Sequence, residues 1–252
     1  MASRPRGAAV SLKHRIRDHL ERPSEKRRYV RDLFGRIAHR YDLTNDVMSL
    51  GLHRRWKRRL MDLAEIRPGH AVLDLAAGTG DLAIEAARRV GAGGHVVAAD
   101  LTPEMMQVGA ARPGGASVRW SAADALELPF ASGSFDRVVI GYGLRNFPDL
   151  ERSLAEIHRC LRPGGRLVSL DFGKPEAALL RGLYLRYLDL STAVVGWALH
   201  RDPEAYLYIP ESLRAYPSQP EVAELMHRVG FGRCVWVDLL FGAMALHVAD
   251  RT

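Results

Sequence analysis

The apolar positions of this chain change rhythm along its length, and the changes place its elements. Short apolar runs at 71–75, 95–99, 117–121, 135–141 and 166–172 predict β-strands. Between them, stretches with helical spacing predict helices over 81–90, 103–111 and 149–161, with Pro163-Gly164-Gly165 as the turn before the fifth strand. A final helix over 221–229 and closing strands near 233–239 and 243–248 complete the series. Strands that alternate with helices imply a parallel sheet covered on both faces. An apolar helical stretch over 176–200 interrupts the alternation after the fifth strand. Upstream, Val30, Leu33, Phe34 and Ile37 predict a helix over 29–40, and Trp56, Leu60 and Leu63 a second over 53–66, with a polar connector at 41–49. Residues 1–28 read as a basic, mobile arm with weak helical character.

Length and composition narrow the class. The 252 residues, 47% hydrophobic and 26% charged, suit one α/β domain with additions. Lys and Arg number 36 against 29 Asp and Glu, a net charge of +7 concentrated in the first 31 residues and in Arg54, Arg55, Lys57, Arg58 and Arg59. Such a face suits anionic lipid or nucleic acid, although solvated charge on a helix is the commoner cause. No apolar run is long enough to predict a membrane span, and Arg181, Arg186 and Asp189 interrupt the longest candidate. Cys160 and Cys234 do not make a disulfide framework or a zinc site, and a reducing cytosol is the expected compartment. The Arg-rich start faintly resembles a transit peptide, a weaker reading than a plain cytoplasmic chain.

Candidate chemistry gathers at the strand ends. The first strand carries Asp74 and breaks at Gly78-Thr79-Gly80 into a helix from Asp81, the strand–turn–helix of a nucleotide crevice. Gly78-x-Gly80-x-x-Ala83 also fits a dinucleotide fingerprint, but a carboxylate at Asp74 would repel a pyrophosphate and suits a cationic ligand such as the amino group of S-adenosylmethionine. Asp100 ends the second strand 20 positions after Gly80, where an acid accepts both hydroxyls of a ribose.

Asp74, the GTG turn, Asp100, Asp124-Ala125 and Leu161-Arg162-Pro163-Gly164-Gly165 resemble the motifs of class I S-adenosylmethionine-dependent methyltransferases. Tyr41-Asp42-Leu43-Thr44-Asn45 through Ser49 and His53 to Trp56, Gly143-Leu144-Arg145-Asn146, and Arg162-Pro163-Gly164-Gly165 through Asp171-Phe172 are similar to signatures of the UbiE/MenG family of quinone-biosynthesis C-methyltransferases. Tyr206-Leu207, Pro210-Glu211-Ser212 and Tyr216-Pro217 extend that likeness. Asp171-Phe172-Gly173 stands where the family commonly has Glu-Phe-Ser or Glu-Phe-Thr, and Asp124 where Asn is frequent.

The resemblance implies a Rossmann-like, doubly wound fold with a mostly parallel seven-stranded sheet, N-terminal helices over 29–66 as a cover, and a substrate-side helical insertion over 176–217. Residues 29–252 would then form the methyltransferase domain. It also implies transfer of a methyl group to a ring carbon of a reduced polyprenyl quinone, demethylmenaquinol before a ubiquinone precursor, with S-adenosylmethionine as cofactor and no metal. Asp74, Gly78, Thr79, Gly80, Asp100, Asp124, Ala125 and Gly141 are the expected cofactor residues, with Met105 either on the adenine face or in the core. Arg145 would stabilise the phenolate, Asn146 orient the hydroxyl or a water, and Tyr41 close the pocket. His53 is either a general base or, more commonly for a lone histidine beside Trp56, a packing residue. Leu183, Tyr184, Tyr187, Leu188 and Trp197 line either a core face or a channel for an isoprenoid tail. Peripheral contact with an anionic membrane through the basic arm and a homodimer complete the expected partners. A nucleic-acid-modifying protein is the reading from another class, which lacks any RNA-binding module in the sequence.

Overall fold

In a computed structural model that describes residues 12–195 and 203–252, the chain builds one seven-stranded sheet in the order β3-β2-β1-β4-β5-β7-β6. The strands are β1 (Ala71–Leu75), β2 (His95–Asp100), β3 (Arg119–Ala122), β4 (Phe135–Gly141), β5 (Leu161–Phe172), β6 (Arg233–Leu239) and β7 (Met244–Asp250). The first five run parallel, and β7 inserts antiparallel between β5 and β6. The strand order reverses between β1 and β4. Ligand crevices of such sheets lie at that switch, outside the carboxyl ends of the strands. Every residue of β1 is buried, as expected of a central parallel strand covered on both faces.

Helices α5 (Asp81–Val90), α6 (Pro103–Ala110), α7 (Leu150–Cys160) and α10 (Gln219–Arg228) link the strands. One sheet face packs Leu73, Ile140 and Leu167 against Leu154 and Ile157 of α7 and Val222 and Met226 of α10. The other packs Val72, Val139 and Val168 against Leu82 and Ala86 of α5 and Leu60 and Met61 of α4 (Leu52–Leu63). Both cores follow the alternation of a pleated strand, which is why the sequence pattern locates them.

Three expectations are corrected. Residues 12–28, read as part of a mobile arm with weak helical character, form α1 (Leu12–Glu21) and the first part of α2 (Pro23–Ile37), while residues 1–11 lie outside the described residues. Pro23 starts α2 at a position where its missing N–H costs nothing. Ile16 of α1 is fully buried with Leu33, Ile37 and Tyr208, and Arg17 pairs with Glu211 at 2.5 Å. Leu12, Ile16 and Leu20 recur every fourth residue and pack into this cluster, but three apolar positions among charged and polar neighbours are a weak signal, so packing partners distant in sequence decide the outcome. The connector at 41–49 is helix α3 (Tyr41–Ser49), closed by Leu50 and Gly51, both at positive φ. Pro163-Gly164-Gly165 lies inside β5, where residues 162–165 bulge opposite Asp136 between the pairs Phe135–Leu161 and Arg137–Arg166.

The insertion after β5 consists of α8 (Ala178–Val195) and α9 (Pro203–Ala215), and Trp197 lies outside the described residues. Together with α1, α2 and α3 it stands over the carboxyl ends of the strands.

Candidate active site

Two hollows meet above the switch point. The first is a narrow cleft of about 80 Å³ between the ends of β1, β2 and β4 and the underside of α2. Gly78, at φ +55°, turns the chain so that its N–H donates to Asp100 Oδ2 at 2.7 Å, and Thr102 N–H donates to Asp100 Oδ1 at 2.8 Å. Burial raises the Asp100 pKa against these hydrogen bonds. Its two oxygens keep lone pairs for further donors, and a side chain at Gly78 would meet nothing closer than Tyr41. Met105, Asp124, Ala125 and Gly141 also line the cleft. An acid at the end of β2 beside an apolar slot fits the ribose and adenine of the expected cofactor.

Three expected cofactor residues lie elsewhere. Asp74, Thr79 and Gly80 are not on the wall of this cleft. Asp74 is buried with Oδ2 accepting from Ala83 N–H at 2.8 Å, and its Oδ1 has no partner. Burial pushes its pKa up to about 8. Thr79 donates to Asp42 on α3 at 2.8 Å, which ties the turn to the helical cover. Gly80, at φ +77°, lies against the Trp120 ring, so a Cβ there would overlap the indole. These residues shape the turn and its supports, and the sequence pattern does not separate that role from direct contact.

The sequence predicts a helical cover but starts it at residue 29, so the part of the roof before that was missed. Arg27 of α2 pairs with Asp124 at 2.9 Å, and Val30 and Phe34 of the same helix line the cleft. Lys26 is half-buried, donates to Phe147 O at 2.7 Å, and its pKa is pushed down to about 8 by desolvation, with the positive charge of Arg145 adding to the effect.

The second hollow is an apolar cavity of about 340 Å³ enclosed by α2, α3, α4, α8 and α9. Phe34, Tyr41 and Tyr142 line both hollows, which therefore lie side by side. Arg145, 5% exposed, donates through Nη1 to Asp171 Oδ1 at 2.8 Å and to Tyr142 O at 2.7 Å, with Cζ 4.8 Å from the Phe172 ring centre. Burial works against its charge, but Asp171 holds the guanidinium protonated above its ordinary range. Asp171 also accepts from the backbone of Arg145 and of Phe172. The short acid at 171 therefore anchors Arg145. Asn146 faces the cleft instead, donating to Tyr142 O at 3.2 Å and accepting from the Tyr208 hydroxyl at 2.8 Å. Tyr184, Tyr187 and Leu188 of α8 line the cavity, as the channel reading expects. Asn45 Nδ2, His53 Nδ1, Tyr142 Oη and Arg145 Nε are buried there without a hydrogen-bond partner. An apolar cavity with a few convergent polar atoms is the usual form of a small-molecule site.

The model of the ubiE/COQ5 methyltransferase family matches residues 22–251, nearly the whole chain. The chain belongs to this family. Among curated proteins it is 43% identical, over 88% of its length and 92% of the other's, to the ubiquinone/menaquinone biosynthesis C-methyltransferase UbiE of Methylococcus capsulatus. It is 40% identical, over 86% and 92%, to the demethylmenaquinone methyltransferase of Streptomyces avermitilis. Its fold matches that of a SAM-dependent methyltransferase from Thermotoga maritima at a TM-score of 0.63 and 17% identity, covering 88% of this chain and 99% of that one. The chain thus has the seven-stranded sheet read from its sequence, and the family match begins within the segment first read as an arm.

Proposed function

We propose that this protein transfers the methyl group of S-adenosylmethionine to a ring carbon of a reduced polyprenyl quinone, with demethylmenaquinol as the favoured acceptor. The carrying observation is the pair of adjoining hollows: a cleft with Asp100 at the end of β2, sharing Tyr41 and Tyr142 with an apolar cavity whose wall carries unpartnered polar atoms. Asp100 would hold the ribose, and Met105 and Ala125 the adenine. The cofactor supplies an electrophilic methyl group. The protein supplies alignment and hydrogen bonds to the acceptor's oxygens. Arg145, through Nε, is the donor we assign to the phenolate oxygen whose electrons make the ring carbon nucleophilic. Asn146 and Tyr208 fix the wall between the hollows.

The tail would leave through the mouth of the cavity. Leu50, at 85% exposure, and Leu240 stand at that mouth, with Phe241, at 86%, next to Leu240 and Leu183 and Tyr187 exposed on α8. The basic residues of α4 follow directly in sequence. This arrangement supports peripheral contact of the mouth with an anionic bilayer; no helix among the described residues is long and apolar enough to cross one.

The test is methyl transfer from labelled S-adenosylmethionine to chemically reduced demethylmenaquinone. Label in the menaquinone product supports the proposal. A cofactor-loaded protein that labels only a demethylated ubiquinone precursor moves the assignment to that acceptor, and one that labels neither refutes it.

A further inference from the structure

The apolar cavity is a poor place to form a phenolate. Burial raises the phenol pKa values of Tyr142, Tyr184 and Tyr208, all on its wall, well above their ordinary value. A quinol hydroxyl seated among them meets the same desolvation. Arg145 offsets this only in part, because Asp171 at 2.8 Å already balances its charge. The pair offers a hydrogen-bond donor without a net positive charge. The acceptor therefore needs a base within reach.

We propose that His53, held in one tautomer by Asp46, is the general base that takes the hydroxyl proton of the acceptor. This rests on the methylation reading above. His53 opens α4, is 5% exposed, and lines the cavity. Its Nε2 lies 2.8 Å from Asp46 Oδ1 on α3, and Arg54 pairs with the other Asp46 oxygen at 2.7 Å. Arg54 first and His53 second hold Asp46 below the usual carboxylate range, so it is ionised and can only accept. Nε2 must then carry the hydrogen, which leaves the Nδ1 lone pair free. That nitrogen is buried, has no partner in the protein, and belongs to a residue of the cavity wall. A histidine that merely stapled α3 to α4 would explain the Asp46 bond but would leave a buried acceptor unsatisfied.

The surroundings also provide an outlet. On its other side the Asp46–His53 pair borders a polar cleft lined by Asp42, Lys57, Asp81 and Arg112. The charged and titratable groups around His53 are therefore these four with Arg58, Glu85 and Arg88 of the same cleft, Asp46 with Arg54, and around the cavity Tyr41, Tyr142, Tyr184, Tyr187, Tyr208 and the Arg145–Asp171 pair, with Lys57 Nζ 6.0 Å from the Tyr142 ring centre.

The step balances. His53 Nδ1 takes the hydroxyl proton, giving an imidazolium and a phenolate. The ring carbon forms its bond to the methyl group as the methyl–sulfur bond breaks, with that electron pair remaining on sulfur. The ring carbon now bears hydrogen and methyl, and the oxygen is a carbonyl. Loss of the ring hydrogen as a proton restores aromaticity, and the carbonyl recovers its proton from the imidazolium. One proton leaves to water.

The test uses the full chain with reduced demethylmenaquinone and labelled S-adenosylmethionine. His53→Gln is expected to lower kcat by about 10²–10⁴-fold with KM and cofactor affinity within about threefold. The wild-type acid limb of kcat should be replaced by a steady rise with pH, as hydroxide substitutes for the base. Asp46→Asn should lower kcat and move that limb to lower pH, and imidazole should restore turnover to His53→Gly. A His53→Gln enzyme with kcat within about threefold of wild type, or one that loses activity but keeps the acid limb without imidazole rescue in His53→Gly, overturns the proposal. If these variants do not fold, nitrogen NMR of histidine-labelled wild type decides: neutral His53 with its proton on Nδ1 refutes the dyad. A cofactor-loaded wild type that leaves the quinol unlabelled refutes the proposed function and this role together, whereas labelling by His53→Gln within about threefold of the wild-type rate refutes the base alone.

Discussion

Asp74→Asn preserves the shape of a buried side chain and removes its titration. The carboxyl is 1% exposed, bonded through one oxygen to Ala83 N–H and unpartnered at the other. Burial raises its pKa from 3.8 to about 8, with the Ala83 bond and Lys57 pulling the other way. Between those values the unfolded chain has released a proton that the folded chain keeps. Stability without cofactor is thus full at low pH and is lost as pH rises through this window. The slope approaches about 1.4 kcal/mol per pH unit, so the advantage of Asp74→Asn over wild type should grow by about 2.7 kcal/mol from pH ~5 to pH ~7. Urea unfolding at those pH values, compared through midpoints at constant m, measures it. Parallel stability curves for the two proteins would refute the burial account. Cofactor affinity offers a second reading. Because Asp100 lines the cleft and Asp74 faces α5, Asp100→Asn should weaken S-adenosylmethionine binding more than Asp74→Asn in a calorimetric titration.

Arg145→Ala should lower kcat by about 10²–10³-fold, and it should also destabilise the fold by about 3–5 kcal/mol by leaving Asp171 buried without its partner. Asp171→Asn added to Arg145→Ala should recover part of the stability and none of the activity, measured by urea unfolding and label transfer. Gly80→Ala should cost about 1–3 kcal/mol through overlap with Trp120 and a positive φ, seen as a lower thermal midpoint. For Lys26, held down at about 8, the unfolded chain keeps its proton to higher pH than the folded one. Wild-type stability should therefore rise relative to Lys26→Met between pH ~8 and pH ~10, at up to about 1.4 kcal/mol per unit, read by urea unfolding.

The sheet was legible because its signals are local. Val72 to Leu75 is wholly buried, Gly78 must turn, and Asp100 ends its strand; composition and period report each of these directly. Arg145 was legible through its motif, but its partner Asp171 lies 26 positions away and only the fold brings them together. The cover was misread where distant contacts decide it. Ile16 and Arg17 sit in a charged run whose helix is held by Tyr208 and Glu211, nearly 200 residues downstream. The bulge at Pro163 to Gly165 was taken for a turn because its residues favour both, and the neighbouring strand selects between them. Gly80 shows the converse limit: the motif marks it for a ligand, and only the fold shows that the Trp120 ring also requires a glycine there.

The helices above the sheet have a core of their own, in which Ile16, Leu33, Ile37 and Tyr208 are buried apart from both faces of the strands. The storey is not uniform: α2 roofs the cleft as well as the cavity, whereas α8 reaches only the cavity. A lineage can therefore try new acceptors by altering α8 while it inherits the cleft unchanged. A history of changing acceptors would be written in that one helix before it touched α2.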